Sequence, residues 1–360
     1  MLSKIELVCW GGNNDIFITI SKSILIVFGI ITIKIFTGDI MRVLTGIQAS
    51  GKLHIGNYFG AMKPMVELQE NNELFTFIAN YHSLTSSSDA KTLKDYTIDA
   101  AIDYLSIGID PNKTTFWVQS HVPQVLELYW ILSKFTPMGL LERAHSYKDK
   151  IAKGIPASHA LFSYPVLMAA DILLFDIDKV PVGKDQVQHL EITRDIAIKF
   201  NNEYGEIFKL PTAVVNEDVA TIPGIDGQKM SKSYGNAIDL FMEEKPLQKR
   251  CNKIVTNSTP LGEPLEWEDC NVFALASLFL DEHGKEELKT RYKSGKEGYG
   301  HFKKYLKELI WQELQEAREK REYYLNHIDE VQDILDMGAK KASAIATAKI
   351  EKIREAVGLI

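Results

Sequence analysis

From Met41 to about Asn202, short apolar runs alternate with stretches of helical period. Residues 42–45, 74–79 and 115–119 are rich in branched and aromatic side chains and predict strands. Residues 57–70 and 93–105 repeat their apolar positions at helical spacing and predict helices. Such alternation builds a parallel sheet with helices on its faces. The tract 216–235, with Pro223, Gly224, Gly227 and Gly235, predicts a loop. Beyond it, residues 246–254, 271–280, 305–326 and 339–357 predict helices with few strands between them. The chain therefore divides into an α/β domain over 41–235 and an α-helical unit over 236–360, whose last helix can pack back on the first domain.

Residues 1–40 stand apart. An uncharged run from Ser23 to Ile33 is too short to span a bilayer. Glu6 and Asp15 precede it and no small-residue cleavage site follows, which argues against a signal peptide. The first arginine is Arg42, which argues against a mitochondrial transit peptide. The branched content also suits a strand pair. The expectation is an appendage preceding a start at Met41. Composition adds little: 45% hydrophobic and 25% charged residues are ordinary for a globular chain and exclude a disordered or collagen-like one. The net charge of −7 means that any nucleic acid must meet a local basic patch. Three cysteines without CxxC spacing argue against a disulfide framework or a zinc site and fit a reducing compartment.

The first predicted strand runs into Gly46-Ile-Gln-Ala-Ser-Gly51-Lys52-Leu53, which nearly spells the phosphate loop GxxxxGK(S/T). Leu53 lacks the hydroxyl that would hold Mg²⁺, so a P-loop hydrolase is disfavoured. More informative is His54-Ile55-Gly56-Asn57 opening a helix, since a polar turn between a strand end and a helix start presents N–H groups to a phosphate. Gly56 would admit an adenine ring close to the backbone, and His54 would donate to a phosphate oxygen. A helix-capping loop with an incidental histidine reads the same way. On the later loop stands Lys229-Met230-Ser231-Lys232-Ser233, two lysines flanking a serine, suited to clamp a polyphosphate leaving group as charge develops on it.

The HIGN turn paired with KMSKS resembles the HIGH and KMSKS signatures of class I aminoacyl-tRNA synthetases. Within that class the GIQASG opening, 118–123, 147–150, 164–173 and 180–189 are similar to strings of the tryptophanyl family, and the resemblance covers about nine-tenths of the chain, from Met41 onward. It implies a Rossmann-like parallel sheet with a C-terminal helical tRNA-binding domain. Tyr164, Met168 and Asp171 fall on one helix face by their spacing. A buried carboxylate at Asp171 can accept the indole N–H, and Met168 offers a polarizable wall. An ordinary core helix ending in a capping aspartate is the alternative. By resemblance, Tyr164 and Gln186 hold the substrate ammonium and His82 lies near the amino acid. Gln48, Ala49, Ser50, Gly56 and Asn57 form the ATP turn, Gly183, Lys184 and Asp185 meet the ribose, and Ile222 meets adenine. Lys148 and Lys150 lie near the phosphates, and the lysines of KMSKS near the leaving group. Ala49 replaces the family's usual proline, and Lys184 a common glutamate.

From Lys285 to Lys307 there are eight Lys/Arg against three Glu, with Tyr292, Tyr299 and Phe302 interleaved. Such a patch can bind phosphates and stack on unpaired bases, or form a solvated helix surface. The resemblance favours tRNA on its anticodon side. It also implies L-tryptophan and MgATP as substrates, no protein-bound metal, a homodimer, no membrane and the cytoplasm. A tyrosyl-tRNA synthetase and a non-catalytic tRNA-binding paralogue are the alternatives. The first is disfavoured by Met168 and Asp171, the second by the intact signature strings.

Overall fold

The computed structural model describes residues 8–12, 15–19 and 40–360, apart from 50, 87–88, 145–146, 148–150, 152–153, 155–156 and 216–221. Residues 1–40 and 41–360 are two separate units. In the first, strands β1 (Val8–Gly12) and β2 (Asp15–Thr19) pair antiparallel, with Val8 opposite Thr19. The Ser23–Ile33 run lies outside the described residues.

The second unit is built on five parallel strands, β3 (Arg42–Ile47), β4 (Glu73–Ile78), β5 (Thr114–Val118), β6 (Lys179–Val182) and β7 (Thr212–Val215), in the spatial order β5-β4-β3-β6-β7. Successive residues on a strand serve opposite faces. Val43, Leu74 and Phe116 enter one core, and Leu44, Phe75 and Trp117 the other, so both faces of the sheet are covered. Chain order reverses between β3 and β6. In open α/β sheets the crevice at that reversal, outside the strand carboxyl ends, is where ligands bind. The HIGN turn follows β3 and Gly183 follows β6, so both stand at this crevice.

The helix expected over 57–70 is interrupted. Ile55–Asn57 is α-helical, Tyr58–Met62 is a π turn, and Lys63–Leu68 resumes the α-helix with Pro64 near its start. Pro64 has no N–H for an ordinary helical bond, which suits a locally widened turn. The helix expected over 305–326 is two, Tyr299–Glu313 and Gln315–Asn326, parted at Leu314. Among the described residues no helix is long and apolar enough to cross a membrane.

The last helix, Ile328–Val357, packs along β5. Its buried stripe is small at the contact, with Gly338, Ala339, Ala342 and Ala346. Gly338 is held against the strand backbone: a Cβ there would lie 1.8 Å from the Phe116 carbonyl oxygen. Lys349, buried on the same helix, pairs with Asp176 and donates to the Ile207 carbonyl at 2.6 Å, while Arg354 grips both oxygens of Glu127 at 2.6 Å. Gly338→Ala must therefore push helix from strand, and it should lower stability by about 2–3 kcal/mol. A urea midpoint equal to wild type would show that helix and strand part without cost.

Candidate active site

His54 caps the helix at Ile55, and its own turn is closed from both sides. Its Nδ1 accepts the Asn57 N–H at 3.2 Å, and Asn57 Oδ1 accepts the His54 N–H at 3.1 Å. With Nδ1 accepting, the hydrogen of the neutral imidazole sits on Nε2. Burial, reinforced by the charge of Lys232, pushes the His54 pKa down to about 4. The ring folds over Gly56, where a Cβ would meet His54 Nδ1 at 3.0 Å. The glycine is thus required first by the imidazole, ahead of any adenine.

Two backbone bonds then tie this turn to the chain beyond the KMSKS string: Ile55 N–H to Ile238 O at 3.0 Å and Leu240 N–H to Leu53 O at 2.9 Å. The KMSKS loop is docked here. Met230 is buried beside Gly56, and its N–H donates to Ile222 O at 2.9 Å. Lys232 Nζ donates to Gly51 O at 2.9 Å. Its pKa is lowered by burial, against the opposing pull of Asp239 and Asp103. Lys229 is exposed on the same loop. A cavity of about 330 Å³, lined by Lys232, Asp239 and Arg250 among others, opens beside it.

The second half of the site surrounds Asp171. This residue lies in the last turn of helix His159–Leu173, buried, where the helix dipole opposes a negative charge. Side chains from two strand ends compensate. His82, after β4, places Nε2 2.9 Å from Oδ2, and Gln119, after β5, donates Nε2 to the two carboxylate oxygens at 2.9 and 2.8 Å. Gln119 is oriented in turn by the Tyr81 N–H, which donates to its Oε1 at 3.0 Å. Asp171 is therefore no cap. A carboxylate offers about four lone-pair directions, so a further donor can be accepted. Tyr164 bonds His189 Nε2 through its hydroxyl at 2.7 Å and stands edge-on to His82. Met168 and Gln186 are half-buried. Gln48 joins the two halves, donating to the His82 carbonyl at 3.2 Å.

The structure thus gathers His54, Gly56, Asn57, Ile222, Met230 and Lys232 on one side, and His82, Tyr164 and Asp171 on the other. Ala49 is buried behind the turn, and Gly183 and Lys184 are exposed at the end of β6. Ser50, Lys148 and Lys150 lie outside the described residues, as do the side chains of Asp185 and Ser233. Gln119, His189, Asn236 and Arg250 escaped the sequence reading as site residues, although the first two stand within the quoted strings and Asn236 three residues beyond KMSKS. Among the described residues no group of three or more His, Cys, Asp or Glu is placed to hold a metal ion.

One expectation fails outright. Tyr292, Tyr299 and Phe302 are buried, with Tyr292 stacked on Phe302 at 3.9 Å, so they cannot stack on bases. Much of the basic segment is also paired internally. Lys307 bonds Glu244 at 2.8 Å, Arg291 grips Glu297, and Lys303 donates to Asn252 O. Lys293, Lys296 and Lys304 are exposed.

Residues 38–315 match the family described as tRNA synthetases class I (W and Y). The chain is 62% identical over 319 residues to the tryptophan–tRNA ligase of Campylobacter jejuni strain RM1221, covering 89% of this chain and all of that one. It is 55% identical over 320 residues to the corresponding ligase of Fusobacterium nucleatum, covering 89% and 98%. Among solved structures, the C. jejuni tryptophanyl-tRNA synthetase complexed with ADP and tryptophan aligns with a TM-score of 0.85 over 88% of this chain and all of that one, at 62% identity. The Mycoplasma pneumoniae enzyme aligns at 0.75 over 89% and 98%, at 30% identity.

Because His54 is neutral when folded and has an ordinary value near 6.5 when unfolded, the unfolded chain binds its proton more tightly. Its contribution is intact above about pH 6.5 and is lost as pH falls toward about 4. His54→Asn keeps a capping oxygen and should lose less stability than wild type over that interval. Parallel denaturation curves for the two proteins would mean that the folded imidazole is not held neutral.

Proposed function

This chain belongs to the tryptophan–tRNA ligases of class I, and on that footing we propose how its residues divide the work. The reaction is ATP-dependent activation of L-tryptophan to tryptophanyl-adenylate, with release of pyrophosphate, followed by transfer of the tryptophanyl group to tRNA. The amino-acid carboxylate attacks the α-phosphate, so no protein nucleophile is needed. The protein's task is alignment and stabilisation of phosphate charge.

The observation that carries the choice of amino acid is the buried Asp171 carboxylate, steadied by His82 and Gln119. In this reading it accepts the indole N–H, a donor that a phenylalanine ring lacks, and rings without the donor leave it underserved. Met168 lines the ring, while Tyr164 and Gln186 face the ammonium. Around ATP, His54 donates through Nε2 to a phosphate oxygen. Gln48, Ala49, Ser50, Gly56 and Asn57 form the turn beneath the nucleotide, and Met230 and Ile222 flank adenine. The backbone of Gly183, Lys184 and Asp185 meets the ribose; a main-chain role is compatible with Lys184 standing where glutamate is common. Lys229 and Lys232, with Ser231 and Ser233, hold the departing pyrophosphate, joined by Lys148 and Lys150. Mg²⁺ enters on ATP as part of the substrate.

We take the helical unit to begin beyond Leu240, since residues 238–240 are bonded to the HIGN turn. It holds the tRNA, through Lys293, Lys296 and Lys304 in place of the buried rings. A homodimer is supported by Leu126 and Trp130, 40% and 76% exposed on one face of helix Gln124–Ser133, since exposed apolar groups of this kind favour an interface. Free, buried Cys251 and Cys270 fit the reducing cytoplasm.

Pyrophosphate exchange with each of the twenty amino acids tests the reading, and only tryptophan should support it. Exchange driven by tyrosine would replace this assignment with the tyrosyl one. Asp171→Ala should reduce kcat/KM for tryptophan by an amount equivalent to about 2–3 kcal/mol, with the KM for ATP little changed. A tryptophan kcat/KM equal to wild type would remove Asp171 from the pocket. Replacing Lys293, Lys296 and Lys304 by Gln should weaken tRNA binding and flatten its log–log salt slope by about 2–3, while activation without tRNA is untouched. An unaltered slope would mark this surface as merely solvated.

A further inference from the structure

The loop that carries Lys229 and Lys232 is bent around one buried amide. Asn236 is 2% exposed. Its Oδ1 accepts the Ser231 N–H at 2.8 Å, and its Nδ2 donates to Asp226 Oδ1 at 2.8 Å and to the Lys229 carbonyl at 3.1 Å. Its own carbonyl accepts the Ile225 N–H at 3.0 Å. The partners fix the orientation of the amide, because a flip would set N–H against N–H and oxygen against two oxygens. Both amide hydrogens are spent inside the loop. None remains for a substrate.

Two further features surround this amide. A Cβ on Gly224 would lie 2.4 Å from Asn236 Cγ, so the chain entering the loop passes directly over the side chain. From the helix Glu244–Asn252, Arg250 donates to the carbonyls on either side of Asn236, Nε to Ala237 O at 2.7 Å and Nη2 to Gly235 O at 2.6 Å. The arc from Lys229 to Ser231 is thus pinned at both ends by one residue, itself clamped by another. That curvature is what seats Met230 beside Gly56 and brings Lys232 to Gly51.

We propose that Asn236 is a positioning residue for adenylate formation, fixing the arc on which Lys229 and Lys232 are presented. This rests on the reading above, in which those lysines act on the phosphates. Displacing a reacting group by about 1 Å costs on the order of 100-fold, so loss of the pins should be felt in the step that uses the lysines and not elsewhere. The neighbours of the amide also shape the outcome of one substitution. Asn236→Asp is nearly isosteric but sets a carboxylate against Asp226, with the Arg250 guanidinium as the nearby cation. Two carboxylates at hydrogen-bond distance do not both ionise readily. A shared proton would restore one of the lost donors.

The test is single-turnover kinetics of both half-reactions in Asn236→Ala, Asn236→Asp and Lys232→Ala, with tryptophan affinity measured alongside. Asn236→Ala should slow adenylate formation by about 10–100-fold. Tryptophan affinity and transfer from preformed adenylate to tRNA should stay within about twofold, far below that loss. In Asn236→Asp the activation rate relative to wild type should rise as pH is lowered from about 8 to about 6, a signature that a merely structural residue would not give. Wild-type activation in both Asn236 variants, with Lys232→Ala slow, would overturn the proposal and leave the lysine assignment standing. Equal slowing of both half-reactions in Asn236→Asp would also overturn it. If Lys232→Ala activates at the wild-type rate, the lysine assignment falls and this proposal with it.

Discussion

Two backbone hydrogen bonds, Ile55 N–H to Ile238 O and Leu240 N–H to Leu53 O, hold the His54 side of the site together. The HIGN turn satisfies its own first-turn donors through His54 and Asn57, but an internally satisfied turn has no fixed bearing on the rest of the chain. The strand-like pairing with residues 238–240 supplies that bearing. It sets the imidazole near Lys232, and burial, reinforced by the neighbouring charge, keeps His54 neutral. Neutral imidazole can donate through Nε2 without bringing a second buried cation beside the lysine. The relative placement of His54 and Lys232 therefore depends on a contact between two segments far apart in the chain.

The Asp171 side of the site solves a different problem. Asp171 is a carboxyl group buried in the last turn of a helix, the end at which the macrodipole opposes a negative charge. An unpaired carboxylate there would be costly. His82 and Gln119 arrive from the ends of adjacent strands, and Tyr81 fixes Gln119 from behind. Parallel pairing of β4 with β5 is what puts those two strand ends side by side. Gln48 then reaches from the β3 side to the His82 backbone, so the two halves share a boundary.

The sheet and both signature strings were legible because they are local: branched runs, turn residues and short motifs need no distant partner to be seen. β6 and β7 were not, each being a strand of only four residues. The interleaved rings at 292, 299 and 302 misled because basic residues crowd the same segment. Tyr292 stands near the end of one helix and Tyr299 and Phe302 in the first turn of the next, and the three rings meet in the buried core. Asn236 reads as a solvated turn residue in a glycine-rich tract. Its importance lies in burial, and burial depends on segments that a linear reading cannot bring together. His82 and Asp171 came from the family pattern, whereas Gln119 became visible only as the group that completes the hydrogen bonding of the Asp171 carboxyl.

The helix Ile328–Val357 draws the far end of the chain onto β5, a strand formed from its first half. Contacts so distant in sequence form late, because the intervening loop must close before they stabilise anything. During synthesis the N-terminal part of the sheet emerges with this flank of β5 uncovered, and the Phe116 backbone lacks the helix that will pack against it. A ribosome that stalls within the last helix would release a chain with all its signature residues present and an apolar seam open to water, a natural substrate for chaperones and proteases. Quality control can thus read completion of this chain from whether the glycine-bearing helix has covered the β5 backbone.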